Sequence, residues 1–263
     1  MYNQIVGSVH PTDYGVCYQY AVGMNATKPF GNNTPQESCC GGTGAENHVK
    51  YQEAAYFVSD NTLWVTLYLP TVANWDEKGV RLRQECAWPA ESTTITIEKG
   101  GRFAMKLRVP YWATEGFVVK VNGTRLRAKC KPSSYVEIRE REWKAGDRVE
   151  VSMPFGKHLY FGPDKMDVAA TGKNEAATPF APMWTGVIMY GPLVMASPDI
   201  TSWDEAEFTL DSDLKEIVLN GHTADGGTLG NVYTLTLGGK TFYPDYYLTD
   251  HATHYLRLNV RNP

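Results

Sequence analysis

The sequence predicts a mainly β protein in which two antiparallel β-sandwich units follow a short segment of helix and loop. Beyond Leu63, apolar residues alternate with polar ones over several short stretches. This alternation is the side-chain period of a β-strand. Turn sequences such as Asn122-Gly123 and Gly238-Gly239 separate the stretches. Many short strands with regularly spaced turns are typical of antiparallel sandwiches.

Residues 1–60 do not share this pattern. The segment from Pro11 to Glu37 is rich in Gly, Pro and Asn, which predicts a long loop. The segment from Glu46 to Phe57 is predicted to be a helix, because Val49, Ala54 and Tyr56 give it a partial apolar face. A loop this long in a compact domain is usually functional, unless it has been separated from its structural context.

The first β-sandwich is predicted for residues 61–155. Its predicted strands are Leu63 to Pro70, Val80 to Cys86, Thr93 to Glu98, Phe103 to Val109, Phe117 to Asn122 and Val149 to Met153. The segment from about Phe155 to Trp184 is rich in Gly, Pro, Lys and Asp and is predicted to connect the two units. The second β-sandwich is predicted for residues 186–263, with strands at Val187 to Tyr190, Glu216 to Leu219, Val232 to Leu237 and Tyr255 to Val260.

Charge and hydropathy argue against two classes of partner. The 25 basic and 29 acidic side chains give a net charge of -4, and no block of basic residues forms a phosphate-binding stripe. We therefore expect no nucleic-acid partner. Apolar stretches such as Thr185 to Ala196 are too short to span a bilayer, so we expect no membrane partner. The segment Met1 to Gly15 lacks the features of a signal peptide, and the compartment is left open.

The five cysteines, an odd number, argue against a complete disulfide framework. Cys17, Cys86 and Cys130 are isolated in the sequence and are predicted to be small buried hydrophobic residues. Cys39 and Cys40 are adjacent, and a disulfide between neighbours would strain the intervening peptide. Two adjacent thiols therefore indicate a metal site or a reactive site.

The densest cluster of reactive groups lies between Ser38 and Tyr51. Two thiols, the Glu46 carboxylate and the His48 imidazole fall within ten positions, with glycines between them. Thiolates at the start of a helix lie near its positive end, which lowers the thiol pKa. The residues alone indicate a thiolate site that is either metal-bound or nucleophilic. The alternative is a structural cysteine pair in a tight loop.

Five tryptophans could stack on sugar rings, although strand tryptophans are more often part of a core. They are Trp64, Trp75, Trp88, Trp112 and Trp143. The residue pattern therefore predicts a core role for most of them.

The segment from Ser38 to Tyr51, followed by Leu63 to Pro70, resembles glycoside hydrolase family 127 and its relative family 146. Its specific part is Cys-Cys-Gly-Gly-Thr-Gly-x-Glu-Asn-His, which ends at His48. Weaker resemblances cover essentially the rest of the chain, at Val16 to Tyr18, Asn33 to Pro35, Arg108 to Trp112 and Tyr190 to Val194.

The resemblance implies a bacterial retaining exo-glycosidase that acts on β-L-arabinofuranosides of plant glycans. Family members carry an (α/α)-barrel before their sandwiches, so residues 1–60 would be the end of that catalytic barrel. Cys39 would be the catalytic nucleophile, and Cys39 and Cys40 would bind a zinc ion. Glu46 and His48 match the family motif and are candidate substrate-binding residues.

The chain also departs from the family. The acid/base glutamate and two further zinc ligands, a Glu and a Cys, lie in the family's barrel, and Cys17 here follows Gly15 without the matching acidic residue. The zinc site would be incomplete, so we expect the isolated chain to be inactive. The expected partner is an L-arabinofuranose-containing plant glycan, and a homodimer is left open. The compartment implied is the bacterial cytoplasm or periplasm. The alternative is a non-catalytic β-sandwich that binds carbohydrate or has a structural role.

Overall fold

The structure of the 263-residue chain is a computed structural model. It describes residues 26–27, 46, 50–87, 89–166, 183–202, 204–224, 231–248, 251–253 and 256–261. These residues are mainly β-strand, as predicted. The chain divides into two compact units. The central unit comprises residues 45–156 and 225–231, and the terminal unit comprises residues 1–44, 157–224 and 232–263.

The described strands are numbered in chain order. They are β1 (Ala26–Thr27), β2 (Tyr56–Ser59), β3 (Thr62–Val65), β4 (Thr71–Trp75), β5 (Val80–Glu85), β6 (Ser92–Lys99), β7 (Gly101–Val109), β8 (Val118–Val121), β9 (Thr124–Arg125), β10 (Ser134–Trp143), β11 (Arg148–Ser152), β12 (Lys157–Met166), β13 (Met183–Tyr190), β14 (Leu193–Ala196), β15 (Glu207–Asp211), β16 (Val218–Ala224), β17 (Asn231–Leu237), β18 (Lys240–Pro244), β19 (His251–Ala252) and β20 (Leu256–Arg261). Short 3₁₀ turns follow β4 at Asp76–Lys78 and β18 at Asp245–Tyr247.

The central unit is a β-sandwich of two sheets. One sheet has the order β10-β7-β3-β2, and the other has the order β4-β5-β6-β11-β8-β9. All pairs are antiparallel except β3 with β7. The alternation predicted from the sequence places side chains of both sheets in one core, among them Met105, Leu107, Ile95 and Val149, each 0 % exposed.

Two aromatic residues close one end of that core. Trp143 on β10 stacks on Phe103 on β7, with ring centroids 5.7 Å apart. The indole Nε1 of Trp143 donates a hydrogen bond of 3.0 Å to the Phe103 carbonyl oxygen. The buried N–H is therefore satisfied within the core, as a buried indole requires.

The terminal unit contains an eight-stranded sheet. Its strand order is β15-β20-β13-β14-β18-β17-β16, with β12 paired to β13 outside this path. The pair β15 and β20 is parallel. Fully buried side chains from several of these strands form its interior, including Ile188, Leu193, Leu210, Leu235 and Leu256. A separate two-stranded sheet joins β1 and β19.

The predicted helix ends earlier than expected. Residues 46 and 50–55 are helical, but Tyr56 and Phe57, which the sequence assigned to the helix, begin β2. β2 pairs with β3 through a tight turn in which Asp60 has a φ of 51°. Pairing with β3 in this hairpin, and of β3 with the distant strand β7, overrides the helical pattern at this point.

Two long strands were not predicted, because the alternation of apolar and polar residues is interrupted in their sequences. In β10 a register shift between Ile138 and Arg141 interrupts the period of two. β12 lies in the segment that the sequence assigned to a connection, and it too has a register shift, between Phe161 and Lys165. A bulge inserts an extra residue and so breaks the pattern that sequence reading depends on.

No helix within the described part of the chain is both long and apolar enough to cross a membrane.

Candidate functional site

Most of the predicted site lies outside the described residues. Cys39, Cys40 and His48 all fall there. Glu46 is described, and it is helical with an exposed side chain. Across the described ranges, no three His, Cys, Asp or Glu side chains are grouped so as to hold a metal ion.

The helical residues 50–55, which follow the Cys-Cys motif, are fixed to the central sandwich at their C-terminal end. Ala55 is only 2 % exposed. Its carbonyl oxygen accepts a 3.0 Å hydrogen bond from the backbone N–H of Thr66 and another of 3.0 Å from the Thr66 hydroxyl. The same hydroxyl also contacts the carbonyl oxygen of Ala54. The last turn of a helix leaves carbonyl groups without helical partners, and Thr66 satisfies them here.

The exposed side of this helix is polar. Lys50 and Glu53 form an ion pair of 3.2 Å, with both side chains more than 60 % exposed. Glu46 lies four positions before Lys50, a spacing that places two helical residues on the same face. An exposed ion pair of this kind contributes little to stability.

An aromatic platform lies on the outer face of the four-stranded sheet. We define it by Phe57, Trp64 and Tyr135. Phe57 and Trp64 are register partners on β2 and β3, and Tyr135 lies on β10, beyond β7. The rings of Trp64 and Tyr135 meet edge to face with centroids 4.9 Å apart. Phe57 is 53 % exposed and Tyr135 is 40 % exposed.

Polar groups surround the platform. The Nζ atom of Lys106 lies 4.3 Å from the ring centroid of Trp64, which is a cation–π distance. Ser59 and Thr66 join the three rings in lining an open depression of about 320 Å³. The surface thus combines aromatic faces with hydroxyl groups. Such a surface can contact a ligand that is apolar on one side and polar at its edge.

Behind the platform, Tyr68 and Arg108 form a polar contact. The Tyr68 hydroxyl donates a hydrogen bond of 2.5 Å to the Arg108 carbonyl oxygen. Burial raises the pKa of Tyr68 and outweighs the opposing effect of the Arg108 charge. The Tyr68 hydroxyl therefore stays protonated and serves as a donor.

A second depression, of about 370 Å³, opens beside the edge strands β2 and β4. Its walls are mainly apolar and include Val58, Leu63 and Leu82, with Asp76 and Glu77 also among its lining residues. Deeper in the wall, the Tyr56 hydroxyl donates a 3.0 Å hydrogen bond to the Gln84 side-chain oxygen.

Burial raises the pKa of Tyr56 to about 12, so its hydroxyl stays protonated at neutral pH. The Tyr56 hydroxyl therefore acts as a hydrogen-bond donor in this wall.

The tryptophan prediction is largely confirmed. Trp75 and Trp143 are buried, and Trp64 and Trp112 are half-buried. Trp88 lies outside the described residues. Sequence reasoning singled out Trp64 but missed Phe57 and Tyr135. Phe57 had been assigned to the helix, and the strand that carries Tyr135 was not predicted, so their alignment with Trp64 was not visible.

Cys86 and Cys130 are free thiols and half-buried, somewhat more accessible than predicted. Burial raises the pKa of both thiols. The Sγ of Cys86 donates to the Tyr68 carbonyl oxygen at 3.6 Å. A raised pKa lowers the thiolate fraction of both cysteines at neutral pH, so we expect both to react slowly. Cys17 lies outside the described residues.

Residues 62–155 match the sequence model of a known protein family, described as the GH127 middle domain of β-L-arabinofuranosidase. The matched range runs from β3 to the end of the central sandwich. This segment is similar to a GH127 middle domain. The resemblance to family 127 inferred from the sequence is thus confirmed, and with it the likeness to glycoside hydrolases. No curated protein sequence matches the chain.

Three solved structures share the fold. A protein described as a glycoside hydrolase matches with a TM-score of 0.66 and 21% identity over 99% of this chain and 47% of its own. A GH127 β-L-arabinofuranosidase from Geobacillus stearothermophilus T6 matches with a TM-score of 0.58 and 18% identity, over 85% of this chain and 37% of its own length. A GH127 β-arabinofuranosidase matches with a TM-score of 0.58 and 18% identity, over 97% of this chain and 44% of its own length. The GH127-like chain spans less than half the length of each.

Proposed function

We propose that this GH127-like chain is part of a retaining glycoside hydrolase that removes β-L-arabinofuranosyl groups from plant glycans, with Cys39 as its nucleophile. The observation that carries the proposal is the GH127 middle domain at residues 62–155, which follows a Cys-Cys-Gly-Gly-Thr-Gly-x-Glu-Asn-His motif ending at His48.

The anchored helix supports the link between the motif and the domain. Residues 50–55 start two positions after His48 and end with the Ala55 carbonyl oxygen bonded to Thr66 on the sandwich. A helix held at its end by hydrogen bonds to a sheet has a fixed direction. The central sandwich therefore fixes the direction of residues 50–55, which follow the motif directly in the sequence.

The reaction proposed has two steps. The Cys39 thiolate attacks the anomeric carbon and forms a C–S bond, while the C–O bond to the leaving group breaks and a general acid protonates the departing oxygen. Water then attacks the same carbon and gives its proton to the conjugate base of the general acid, while the C–S bond breaks and the thiolate is restored. Two inversions give net retention. Sulfur takes the place that a carboxylate holds in most retaining glycosidases.

Cys39 and Cys40 would bind zinc, and the motif residues Glu46 and His48 would contact the sugar. A bound zinc ion favours the thiolate over the thiol at neutral pH. Two thiolates supply half of a tetrahedral shell, so the remaining ligands and the general acid would come from residues outside the GH127 middle domain. The isolated 263-residue chain would then be inactive, because protonation of the leaving group alone contributes roughly 10²–10⁴ in rate.

Hydrolysis of an aryl β-L-arabinofuranoside tests this function. We expect no turnover from the 263-residue chain, and turnover from an upstream-extended protein in which a preceding segment supplies the general acid and the remaining zinc ligands. Cys39→Ala should abolish that turnover, whereas the matched change Cys130→Ala should preserve it. Robust turnover by the isolated chain would contradict its inactivity, and full activity of the Cys39→Ala variant would contradict the nucleophile.

A further inference from the structure

The two outer faces of the central sandwich differ in chemistry. The outer face of the six-stranded sheet carries charged and hydroxyl side chains, and Arg81 and Arg83 both bond Glu98 there at 2.6 Å. The four-stranded sheet has an exposed ion pair too, Arg102 with Glu140 at 2.6 Å, but its outer face also carries the aromatic platform. Exposed rings grouped on one face mark an interaction surface, whereas rows of paired charges are typical of a solvated face.

The platform is held in place before any ligand arrives. Trp64 is braced by Tyr135 on one side, at 4.9 Å and an interplanar angle of 81°, and by Lys106 at 4.3 Å. Phe57 lies beside Trp64 through the β2–β3 register. These contacts hold the Trp64 ring, whereas Phe57 is 53 % exposed and is placed by its strand register. The part of the platform around Trp64 therefore needs little reordering when a ligand binds, which lowers the entropic cost of binding.

The lining indicates the class of ligand. Ser59 and Tyr135 supply hydroxyl groups beside the rings, around a depression of about 320 Å³. The Thr66 hydroxyl also lines it, but its proton bonds the carbonyl oxygens at the end of the helix, so it can only accept a hydrogen bond from a ligand. A sugar ring has a face of C–H bonds that packs on an aromatic ring and an edge of hydroxyls that bonds to such groups. Three rings are too small a surface for a stable protein interface, which buries roughly 1,200–2,000 Å².

We propose that the platform of Phe57, Trp64 and Tyr135 binds a neutral arabinose-bearing glycan through one or two of its sugar rings. Recognition of a sugar ring follows from the surface itself, and the choice of an arabinose-bearing glycan rests on the proposed function. The platform adds a glycan-holding role to the central sandwich that does not require the Cys39 chemistry.

Affinity electrophoresis of the 263-residue chain through gels that contain soluble arabinan tests the proposal. We expect arabinan to retard the wild-type chain. Phe57→Ala and Tyr135→Ala should each weaken binding about tenfold, because each removes a stacking ring. Tyr135→Phe should retain most of the retardation, since the ring remains. Tyr160→Ala is the matched control, because Tyr160 is 63 % exposed and lies in the terminal unit.

Three results would overturn the proposal. They are an absence of retardation by arabinan, equal retardation of the wild type and both alanine variants, and a wild-type dimer that the two variants convert to monomer in size-exclusion chromatography. The last result would identify the platform as a protein interface. Because binding is measured without turnover, failure of the hydrolysis assay would leave the result of this experiment unaffected.

Discussion

The rings of Trp64 and Tyr135 meet over an intervening strand. Trp64 lies on β3 and Tyr135 on β10, with β7 between them, and their centroids are 4.9 Å apart at an interplanar angle of 81°. Edge-to-face pairs of this kind contribute beyond the area that they bury. The contact couples two strands that share no backbone hydrogen bonds.

A double-mutant cycle measures that coupling. We expect Trp64→Ala and Tyr135→Ala to lose less stability together than the sum of the single changes, with a coupling energy of about 0.5–1.5 kcal/mol. Urea unfolding followed by circular dichroism provides the free energies. Additive effects would show that the rings are close without stabilising one another.

Gly100 is expected to be intolerant of any side chain. A Cβ atom at this position would lie 1.9 Å from the Trp143 carbonyl oxygen, which belongs to the backbone and cannot move aside. We expect Gly100→Ala to lower the free energy of unfolding by about 3 kcal/mol or more. Gly123→Ala is the control, because Gly123 has a φ of +77° but open space around its Cβ, and it should cost only about 1–2 kcal/mol. Equal losses would refute the steric argument.

Glu98 should make stability depend on pH. Hydrogen bonds from Arg81 and Arg83 lower the pKa of its carboxyl below the ordinary value of 4.5. The folded state therefore favours the carboxylate, and the resulting stability is present above about pH 4.5 and is lost as the pH falls through the folded-state pKa.

The pH effect can be checked with Glu98→Gln. We expect this variant to have a lower urea midpoint than the wild type at pH 7, and the difference to shrink as the pH is lowered below 4. Salt should also reduce the difference, because the groups are exposed. Glu85→Gln, at an exposed position on β5, serves as the control. If the difference in urea midpoint between the wild type and Glu98→Gln grew as the pH fell, the lowered pKa of Glu98 would be contradicted.

Cys86 and Cys130 should react slowly with alkylating reagents in the folded chain. Burial raises the pKa of both thiols, so the thiolate fraction of each is smaller at neutral pH. We expect peptide mass mapping after iodoacetamide treatment at pH 7.5 to show Cys39 labelled ahead of both in an active protein. In the urea-unfolded chain, Cys86 and Cys130 should be alkylated at the same rate as each other. Faster labelling of either in the folded state would contradict the prediction.

The strand positions with uninterrupted alternation could be predicted from the sequence. Val80 to Cys86 and Phe103 to Val109 agree with β5 and β7 to within two residues, because each has one buried and one exposed face. β10 and β12 could not be predicted in the same way, since register shifts interrupt their pattern. The end of the helix was also misplaced, because Tyr56–Ser59 pair with β3 in a hairpin whose turn at Asp60 and Asn61 was not recognised in the sequence.

Of the two candidate sites, one could be predicted from the sequence and the other could not. The thiolate motif was visible in the sequence because its residues are adjacent, and its geometry stays a prediction. The aromatic platform was not visible, because Phe57, Trp64 and Tyr135 come from three strands and meet only through the sheet order. The residue pattern along one segment shows whether that segment is a strand or a helix. A surface built from several strands also depends on which residues lie side by side in the sheet.

The central claim is that Cys39 forms a covalent bond to the sugar. Its most direct test is peptide mass mapping of the active, upstream-extended protein after treatment with an electrophilic reagent of β-L-arabinofuranose configuration. We predict one sugar adduct, on the peptide that carries Cys39, and its loss in the Cys39→Ala variant. An adduct on Cys40, on Cys86 or on a carboxylate, with Cys39 unmodified, would contradict the account.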